Sequence, residues 1–274
     1  MPVKLVTNEK IALTSSKGNQ EKWCENNIWY KLDQFGYEAL AEAVASKILE
    51  KSNIEADTPF TFVRYDVEKV NVHNIARTAC VSENFLNSGN AIVTINKLIS
   101  NNLDTSLLHK LSKFNSDKKR IQYIVDITTE ITGLKCFDKY LTLLFEIDSL
   151  IMNDDRHLNN IAVLENNGKF DYCPIFDNGA GLLSNMQIYK TDIEPKGIMK
   201  AMVASPFSMT FNRELKTIHS LYGSVLKFQK FTKAEIDDII SPYLEFYPKR
   251  DRSIIKNRVE QCILQRQKLF EVYL

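Results

Sequence analysis

Two short segments of the sequence hold an unusual concentration of acidic and amide side chains. The first reads Asn-Asp-Asp-Arg-His-Leu-Asn-Asn at residues 153–160, and the second reads Phe-Asp-Asn-Gly at residues 176–179. Carboxylate and amide oxygens are among the protein ligands that Mg²⁺ prefers. A magnesium ion held by them can bridge phosphate oxygens and neutralise the charge that develops in phosphoryl transfer. The residue types therefore suit the binding of a metal–phosphate complex.

The chain between the two segments predicts a β-hairpin that would bring them together. Apolar runs at 161–164 and 170–173 flank a turn that contains Asn-Gly, the strongest short-range hairpin signal. Because a hairpin brings its two ends together, we expect Asp155, Asn160 and Asp177 to meet at its open end.

The spacing of these three residues is that of a kinase active site, in which Asp, four residues and Asn precede an Asp-x-Gly motif. On this interpretation Asp155 orients and deprotonates the acceptor hydroxyl. Asn160 and Asp177 would hold magnesium at the nucleotide phosphates. The alternative is structural, because Asp and Asn also cluster at turns and helix caps, where they form local hydrogen bonds.

The neighbours of these residues have more modest expected roles. For His157 we expect a structural role in the loop rather than that of a base. Arg156 is expected to organise the loop by pairing with a carboxylate rather than to bind phosphate. Gly179 would let the backbone turn tightly after Asp177.

The same residues carry a resemblance to a known family. The Asp-Arg-His-x-x-Asn motif that begins at Asp155, with Asp177 downstream, resembles the catalytic segment of the HipA-type serine/threonine kinases. It is also similar to that of the phosphoinositide kinases. The segment Ser-Ser-Lys-Gly-Asn-Gln-Glu-Lys at residues 15–22 resembles the HipA-type phosphate loop, Ser-x-x-Gly-x-Gln-x-Lys. The resemblance extends, with gaps, from about residue 15 to residue 180.

The resemblance implies where the nucleotide would bind. It places four residues at the nucleotide phosphates: Gly18, Asn19, Gln20 and Lys22. Lys31, in a strand-like run, would contact the α- and β-phosphates and needs a carboxylate partner. Glu38 and Glu42 lie one helical turn apart, and the resemblance favours Glu38. The alternative for this region is an ordinary hairpin loop followed by a solvated, charged helix face.

The resemblance also implies how the protein would be regulated and which part of a family member the chain represents. Ser15 stands where the family has a regulatory serine, so we expect self-phosphorylation there, which would repel the nucleotide phosphates. Alternatively, Ser15 and Ser16 are loop residues without this role. Residues 79–86 fall where the family has its interlobe hinge. The family's full toxins carry a further domain before the kinase core, and this chain is expected to be the core alone.

The elements that must position these residues change in type along the chain. Residues 1 to about 85 combine β-like runs with one helix, whereas helical periodicity dominates beyond residue 90. The predicted strands are 29–32, 60–67 and 70–81, and the early helix is 37–51. The later helices are 92–101, 117–133, 136–152, 233–246 and 252–273. Gly133 is expected to end a helix, and Pro248 to precede the last one.

These elements predict an α+β chain with a small sheet-plus-helix lobe followed by a larger helical lobe, and the resemblance implies that this is a two-lobed protein-kinase-like fold. The small β-rich N-lobe would comprise residues 1–85, with the phosphate loop and the lysine. The larger helical C-lobe would comprise residues 86–274, with the catalytic loop and the metal site. The nucleotide would lie in the cleft between them.

Composition excludes several other classes of protein. In 274 residues, the hydrophobic fraction of 44% and the net charge of +1 rule out wholesale disorder. The balanced charge also gives no global attraction for nucleic acid. The most apolar stretch, 140–152, contains two acids and is shorter than the roughly 20 residues of a membrane span. Five widely spaced cysteines without a CxxC motif indicate reduced thiols in a cytoplasmic protein.

The sequence therefore predicts an ATP- and Mg²⁺-dependent serine/threonine protein kinase with a protein substrate and an antitoxin or regulatory partner. Two alternatives stay open: a lipid or small-molecule kinase, and a non-catalytic nucleotide-binding module. The C-terminal helices carry a basic series that would suit an acidic partner or RNA, although interspersed acids favour a mixed, solvated surface. The series is Lys249, Arg250, Arg252, Lys256, Arg258, Arg266 and Lys268.

Overall fold

A five-stranded sheet and a long helix form the first part of the chain. The computed structural model describes residues 4–6, 20–103 and 106–272. The order of strands across the sheet is β1-β4-β5-β3-β2, with β1 parallel to β4 and the other neighbours antiparallel. The strands are β1 (Lys4–Val6), β2 (Lys22–Glu25), β3 (Ile28–Leu32), β4 (Asp66–Val72) and β5 (Ile75–Glu83). Helices α1 (Glu38–Leu49) and α2 (Ile54–Asp57) lie between β3 and β4.

The sheet corrects the prediction of one strand at residues 70–81. The chain reverses there, because His73 and Asn74 both adopt positive φ, 53° and 63°. Two such residues in succession are typical of a tight hairpin turn, which joins β4 to β5. The sequence lacks the Asn-Gly signal at this turn, so the reversal was missed.

The strand predicted at 60–67 is also wrong over most of its length. Phe62 forms only an isolated bridge to Ile175, and β4 does not begin until Asp66. Phe60, Phe62 and Val63 are nevertheless buried. Their apolar character reflects packing of this connection against the second part of the chain rather than membership of the sheet.

The second part of the chain is mainly helical. A three-stranded sheet, in the order β6-β7-β8, consists of β6 (Ala91–Thr94), β7 (Ala162–Asn166) and β8 (Lys169–Tyr172). The helices are α3 (Ile95–Ser100), α4 (Leu107–Ser112), α5 (Asp117–Thr132), α6 (Phe137–Ile151), α7 (Pro195–Ala201), α8 (Phe211–Tyr222), α9 (Lys233–Leu244) and α10 (Lys249–Arg266). Short paired strands complete it: β9 (Val203–Ala204), β10 (Met209–Thr210), β11 (Lys227–Phe228) and β12 (Glu271–Val272).

Two predicted helix boundaries are confirmed. Gly133 ends α5 in the left-handed conformation, with φ of 73°, and Pro248 directly precedes α10. The helix predicted at 92–101 is correct only in its second half. Residues Ala91–Thr94 instead pair with β7, a partner some seventy positions away, and the Thr94 side chain then caps α3.

One large hydrophobic core holds the helix α1 and the C-terminal helices together, and a smaller cluster lies around Trp23 and Tyr30. The boundary predicted at residue 85 stays a prediction. Within the described residues, no helix is long and apolar enough to cross a membrane. All five cysteines are free.

Candidate active site

Lys31 in β3 is the cation at the centre of the site. Its Nζ lies 3.1 Å from Glu42 Oε1 and also contacts Asp177 Oδ1. Glu42, in α1, is fully buried, and its second oxygen accepts a hydrogen bond of 2.8 Å from the Asn178 backbone N–H. One carboxylate therefore connects strand β3, helix α1 and the segment that carries Asp177.

Glu38 does not form the ion pair with Lys31 that the sequence analysis favoured. Its carboxylate instead accepts hydrogen bonds from the backbone N–H groups of Phe35, at 2.6 Å, and Gly36, at 3.1 Å. As the first residue of α1, Glu38 satisfies amides of the preceding turn. Glu42, one turn further on, reaches Lys31. The pairing with Glu38 is thus corrected to Glu42, the alternative.

Charges around Lys31 set the protonation of the site. Burial alone would raise the pKa of Asp177, but the Lys31 ammonium lowers that pKa to about 2. Lys22 stands directly opposite Lys31 in the β2–β3 ladder, and burial together with Lys31 lowers the pKa of Lys22. Like charges opposite one another in a sheet are unfavourable. Two lysines in this position therefore suit an anionic ligand.

The loop after α6 brings Asp155 and Asn160 to the same region. The Asn160 side-chain amide donates to the Asp155 carbonyl at 3.0 Å, which leaves Asn160 Oδ1 as the atom suited to a cation. The Asp155 side chain is 62% exposed. Partial burial and the nearby Asp177 carboxylate raise the pKa of Asp155. A raised pKa suits a carboxylate that must accept a proton.

A cavity of about 730 Å³ contains these side chains, and this size is typical of small-molecule sites. Its lining includes most of the residues assigned from the sequence: Gln20, Lys22, Lys31, Glu38, Asp155, His157, Asn160 and Asp177. Gln20 Nε2 donates to the Leu32 carbonyl at 2.5 Å. Ser15, Gly18 and Asn19 lie outside the described residues, so their roles stay predictions.

The oxygen ligands at the cavity suit a magnesium ion that is bound together with phosphate. Asp177 is ionised over the ordinary pH range, and Asn160 offers an amide oxygen. Within the described part of the chain, no three His, Cys, Asp or Glu side chains gather as a metal cage. Mg²⁺ is usually bound through one or two protein oxygens together with phosphate and water oxygens. Asn160 and Asp177 would therefore hold the metal only together with a bound nucleotide.

Arg156 is fully buried and organises the loop of residues 153–160. Its guanidinium pairs with Asp148 in α6, with Nε 2.9 Å from Oδ2. It also donates to the Phe176 carbonyl at 2.7 Å and to Asn178 Oδ1 at 2.8 Å. These contacts join the loop of residues 153–160 to the Asp177 segment. Sequence reasoning missed Asp148, although an acid within an apolar helical run is the signal of a buried charge pair.

His157 and Gly179 lie at the edges of the site. His157 Nε2 is 3.9 Å from Asp155 Oδ1, and its side chain is half exposed. Positive φ falls on Asp177, at 63°, rather than on Gly179. A Cβ at Gly179 would lie 3.3 Å from Glu42 Oε1. The predicted turn at Gly179 is therefore corrected: this glycine allows close approach to Glu42.

Comparisons with known proteins establish the fold. No protein-family model and no curated protein matches the chain. Among solved structures, the proinflammatory kinase CtkA of Helicobacter pylori matches with a TM-score of 0.58 at 15% identity. The match covers 93% of this chain and 89% of that one.

The chain has a kinase fold. The predicted α+β, two-lobed class is thereby confirmed. HipA of Shewanella oneidensis MR-1, solved with HipB and operator DNA, matches with a TM-score of 0.46 at 13% identity, over 93% of this chain and 65% of HipA.

Proposed function

We propose that the chain is an ATP- and Mg²⁺-dependent serine/threonine protein kinase of the HipA type. One observation supports this most strongly: Lys31, held by Glu42 and Asp177, lines the same cavity as Asp155 and Asn160. A phosphotransferase needs a cation for the phosphates, oxygen ligands for the metal and a base for the acceptor. A cluster that only stabilised the fold would not require all three beside one cavity.

Each residue would then have a defined role. Lys31 and Lys22 bind the phosphates of the nucleotide, and bound Mg²⁺ would neutralise charge on the β- and γ-phosphates. Asp155 orients the acceptor hydroxyl and accepts its proton as the hydroxyl oxygen bonds to the γ-phosphorus. The bond from phosphorus to the bridging oxygen breaks, and ADP leaves with that electron pair.

The phosphate loop completes the proposal. Gly18 and Asn19, with Gln20, would contact the phosphates, as the motif resemblance implies. Phosphorylation of Ser15 would add a dianion beside them and lower nucleotide affinity. Intact-mass spectrometry after incubation with ATP and Mg²⁺ should show a phosphate on the wild-type protein. The Ser15→Ala protein should lack it.

The partners belong to the same proposal. A protein substrate and an antitoxin or regulatory partner are expected from the resemblance. The basic C-terminal series offers little for RNA, because Arg258 and Arg266 are buried and Lys256 pairs with Asp237 at 2.8 Å. Nucleic acid is therefore not proposed as a partner.

Incubation with γ-labelled ATP and Mg²⁺, alone and with cell extract, tests the activity. Label on protein serine or threonine supports the proposal. Label only in lipids or metabolites would favour a small-molecule kinase, which the shared Asp-Arg-His motif also permits. Nucleotide-induced thermal stabilisation without any transfer would favour a binding module. The Asp155→Asn protein is the matched control in each of these assays.

A further inference from the structure

The segment that follows the metal-binding region forms part of the cavity wall. We call residues 182–190 the anchored segment. Ser184, Asn185, Ile188 and Tyr189 of this segment line the cavity together with Asp155. Its backbone is tied to the rest of the chain by short hydrogen bonds, such as that from the Leu182 N–H to the Ile151 carbonyl at 2.6 Å. The position of this segment therefore shapes the place where an acceptor would lie.

A buried arginine from the last long helix holds this segment. Arg258, in α10, is only 1% exposed. Its guanidinium donates to the carbonyls of Leu183, at 3.1 Å, and Lys190, at 2.9 Å, and it also contacts the Tyr189 carbonyl. A buried guanidinium is costly unless its donors are satisfied. The three carbonyls, presented by a segment without regular structure, satisfy it.

The anchored segment in turn holds the catalytic loop. The Tyr189 hydroxyl donates to the carboxylate of Asp154, the residue directly before Asp155. The Asp154 carbonyl accepts a further hydrogen bond from Ser205 Oγ at 2.8 Å. A continuous series of contacts thus leads from Arg258 through Tyr189 to the neighbour of the proposed base.

Phosphorylation is the usual alternative means of ordering such a segment. In many kinases a phosphate on the segment pairs with arginine. Here Arg156 is fully buried, and its donors are used by Asp148, Asn178 and two backbone carbonyls. Ser184 is also buried and donates to the Gly179 carbonyl at 2.6 Å. Neither residue is available for a phosphate contact.

We propose that Arg258 is a positioning residue that fixes the anchored segment, and through it Asp155, without phosphorylation of that segment. The proposal rests on the proposed function for its effect on catalysis. Its structural half, the ordering of residues 182–190 by Arg258, is independent of that function. The two halves therefore have separate measurements.

The test compares Arg258→Lys with Arg266→Lys. Arg266 lies on the same helix and is also buried, but it donates to Ser149 and Asn212, away from the anchored segment. In Arg258→Lys, amide hydrogen exchange in residues 182–190 should accelerate about 10-fold or more. The kcat for phosphotransfer should fall about 100-fold, with KM for ATP unchanged within about two-fold. Arg266→Lys should change neither quantity beyond its effect on the melting temperature.

Tyr189→Phe gives a second test that does not remove a buried charge. It should lower kcat while leaving exchange of the anchored segment protected. Unchanged exchange in Arg258→Lys, or equal effects of the two arginine variants on kcat, would overturn the proposal. A loss of kcat on phosphatase treatment of the wild-type protein would also overturn it. If the wild-type protein transfers no phosphate, the proposed function fails, and the exchange measurement still decides the role of Arg258.

Discussion

Lys31 forms an ion pair with Asp177, a residue 146 positions further along the chain. Asp177 makes this contact from a left-handed backbone conformation, with φ of 63°. Non-glycine residues in such conformations carry strain of about 1–3 kcal/mol and are concentrated at functional sites. The pair therefore joins the first sheet to the helical part of the chain. It does so at the place where the proposed chemistry needs residues from both parts.

The partner of Lys31 can be tested by exchanging single carboxylates for amides. Glu42→Gln should reduce phosphotransfer by about 10-fold or more, because Lys31 loses a buried counter-charge. Glu38→Gln should have a smaller effect, because Glu38 contacts amides of the preceding turn instead of Lys31. Steady-state kinetics of both proteins, with circular dichroism to verify folding, provides the measurement. A larger loss in Glu38→Gln would contradict this assignment of the ion pair.

The pair of Arg156 and Asp148 is expected to contribute mainly to stability. Arg156→Met leaves the Asp148 carboxylate buried without its partner, which should cost about 3–5 kcal/mol in the free energy of unfolding. The exposed pair of Arg64 and Glu55 is the control, since Arg64→Ala should cost less than about 1 kcal/mol. Urea titrations of the two variants measure both values. Similar small losses would show that the buried network does not stabilise the loop.

Gly36 is expected to tolerate no side chain. A Cβ there would lie 2.0 Å from the Ser184 carbonyl oxygen, because Gly36 forms a bridge with Asn185. Gly36→Ala should therefore lower the melting temperature and displace the anchored segment. Gly197→Ala is the matched control, because its Cβ would have only an ordinary contact of 3.7 Å with Ile193. In helix α7 this change should stabilise by up to about 1 kcal/mol. Wild-type stability of Gly36→Ala would refute the close approach.

The pH dependence of stability should report the charge of Asp177. Its pKa in the folded protein, about 2, lies below the ordinary value of 3.8. The ionised carboxylate therefore stabilises the fold above about pH 4, and this contribution, on the order of 2 kcal/mol, is lost as the pH falls towards 2. The difference in unfolding free energy between wild-type protein and Asp177→Asn should accordingly shrink between pH 5 and pH 2. A difference that stayed constant over this range would contradict the lowered pKa.

Local signals in the sequence were enough to find part of the site. Asp155, Asn160 and Asp177 stand at fixed distances around an Asn-Gly hairpin, so spacing and turn chemistry predicted that they would converge. The change from strand-like to helical periodicity near residue 90 predicted a small sheet-plus-helix lobe and a larger helical lobe, and the family resemblance added the kinase-like assignment. Helix α5 was predicted closely because Gly133 marks its end and its apolar residues recur with helical spacing.

Contacts between distant parts of the chain were not predictable in the same way. Glu38 and Glu42 occupy the same helix, and only the placement of α1 against β3 decides which of them reaches Lys31. Arg258, by contrast, appears in the sequence as an ordinary charge on a helix. Its burial against the carbonyls of Leu183, Tyr189 and Lys190 depends on tertiary packing, which no local pattern reports.

Phosphotransfer by Asp155→Asn and Asp177→Asn, measured with γ-labelled ATP and Mg²⁺, tests the central claim most directly. Asp171→Asn is the matched control, because Asp171 is an exposed acid in β8, on the hairpin between the two site residues. Both site variants should remain folded and lose activity by about 100-fold or more, whereas the control should retain it. Wild-type turnover in both site variants would contradict the account.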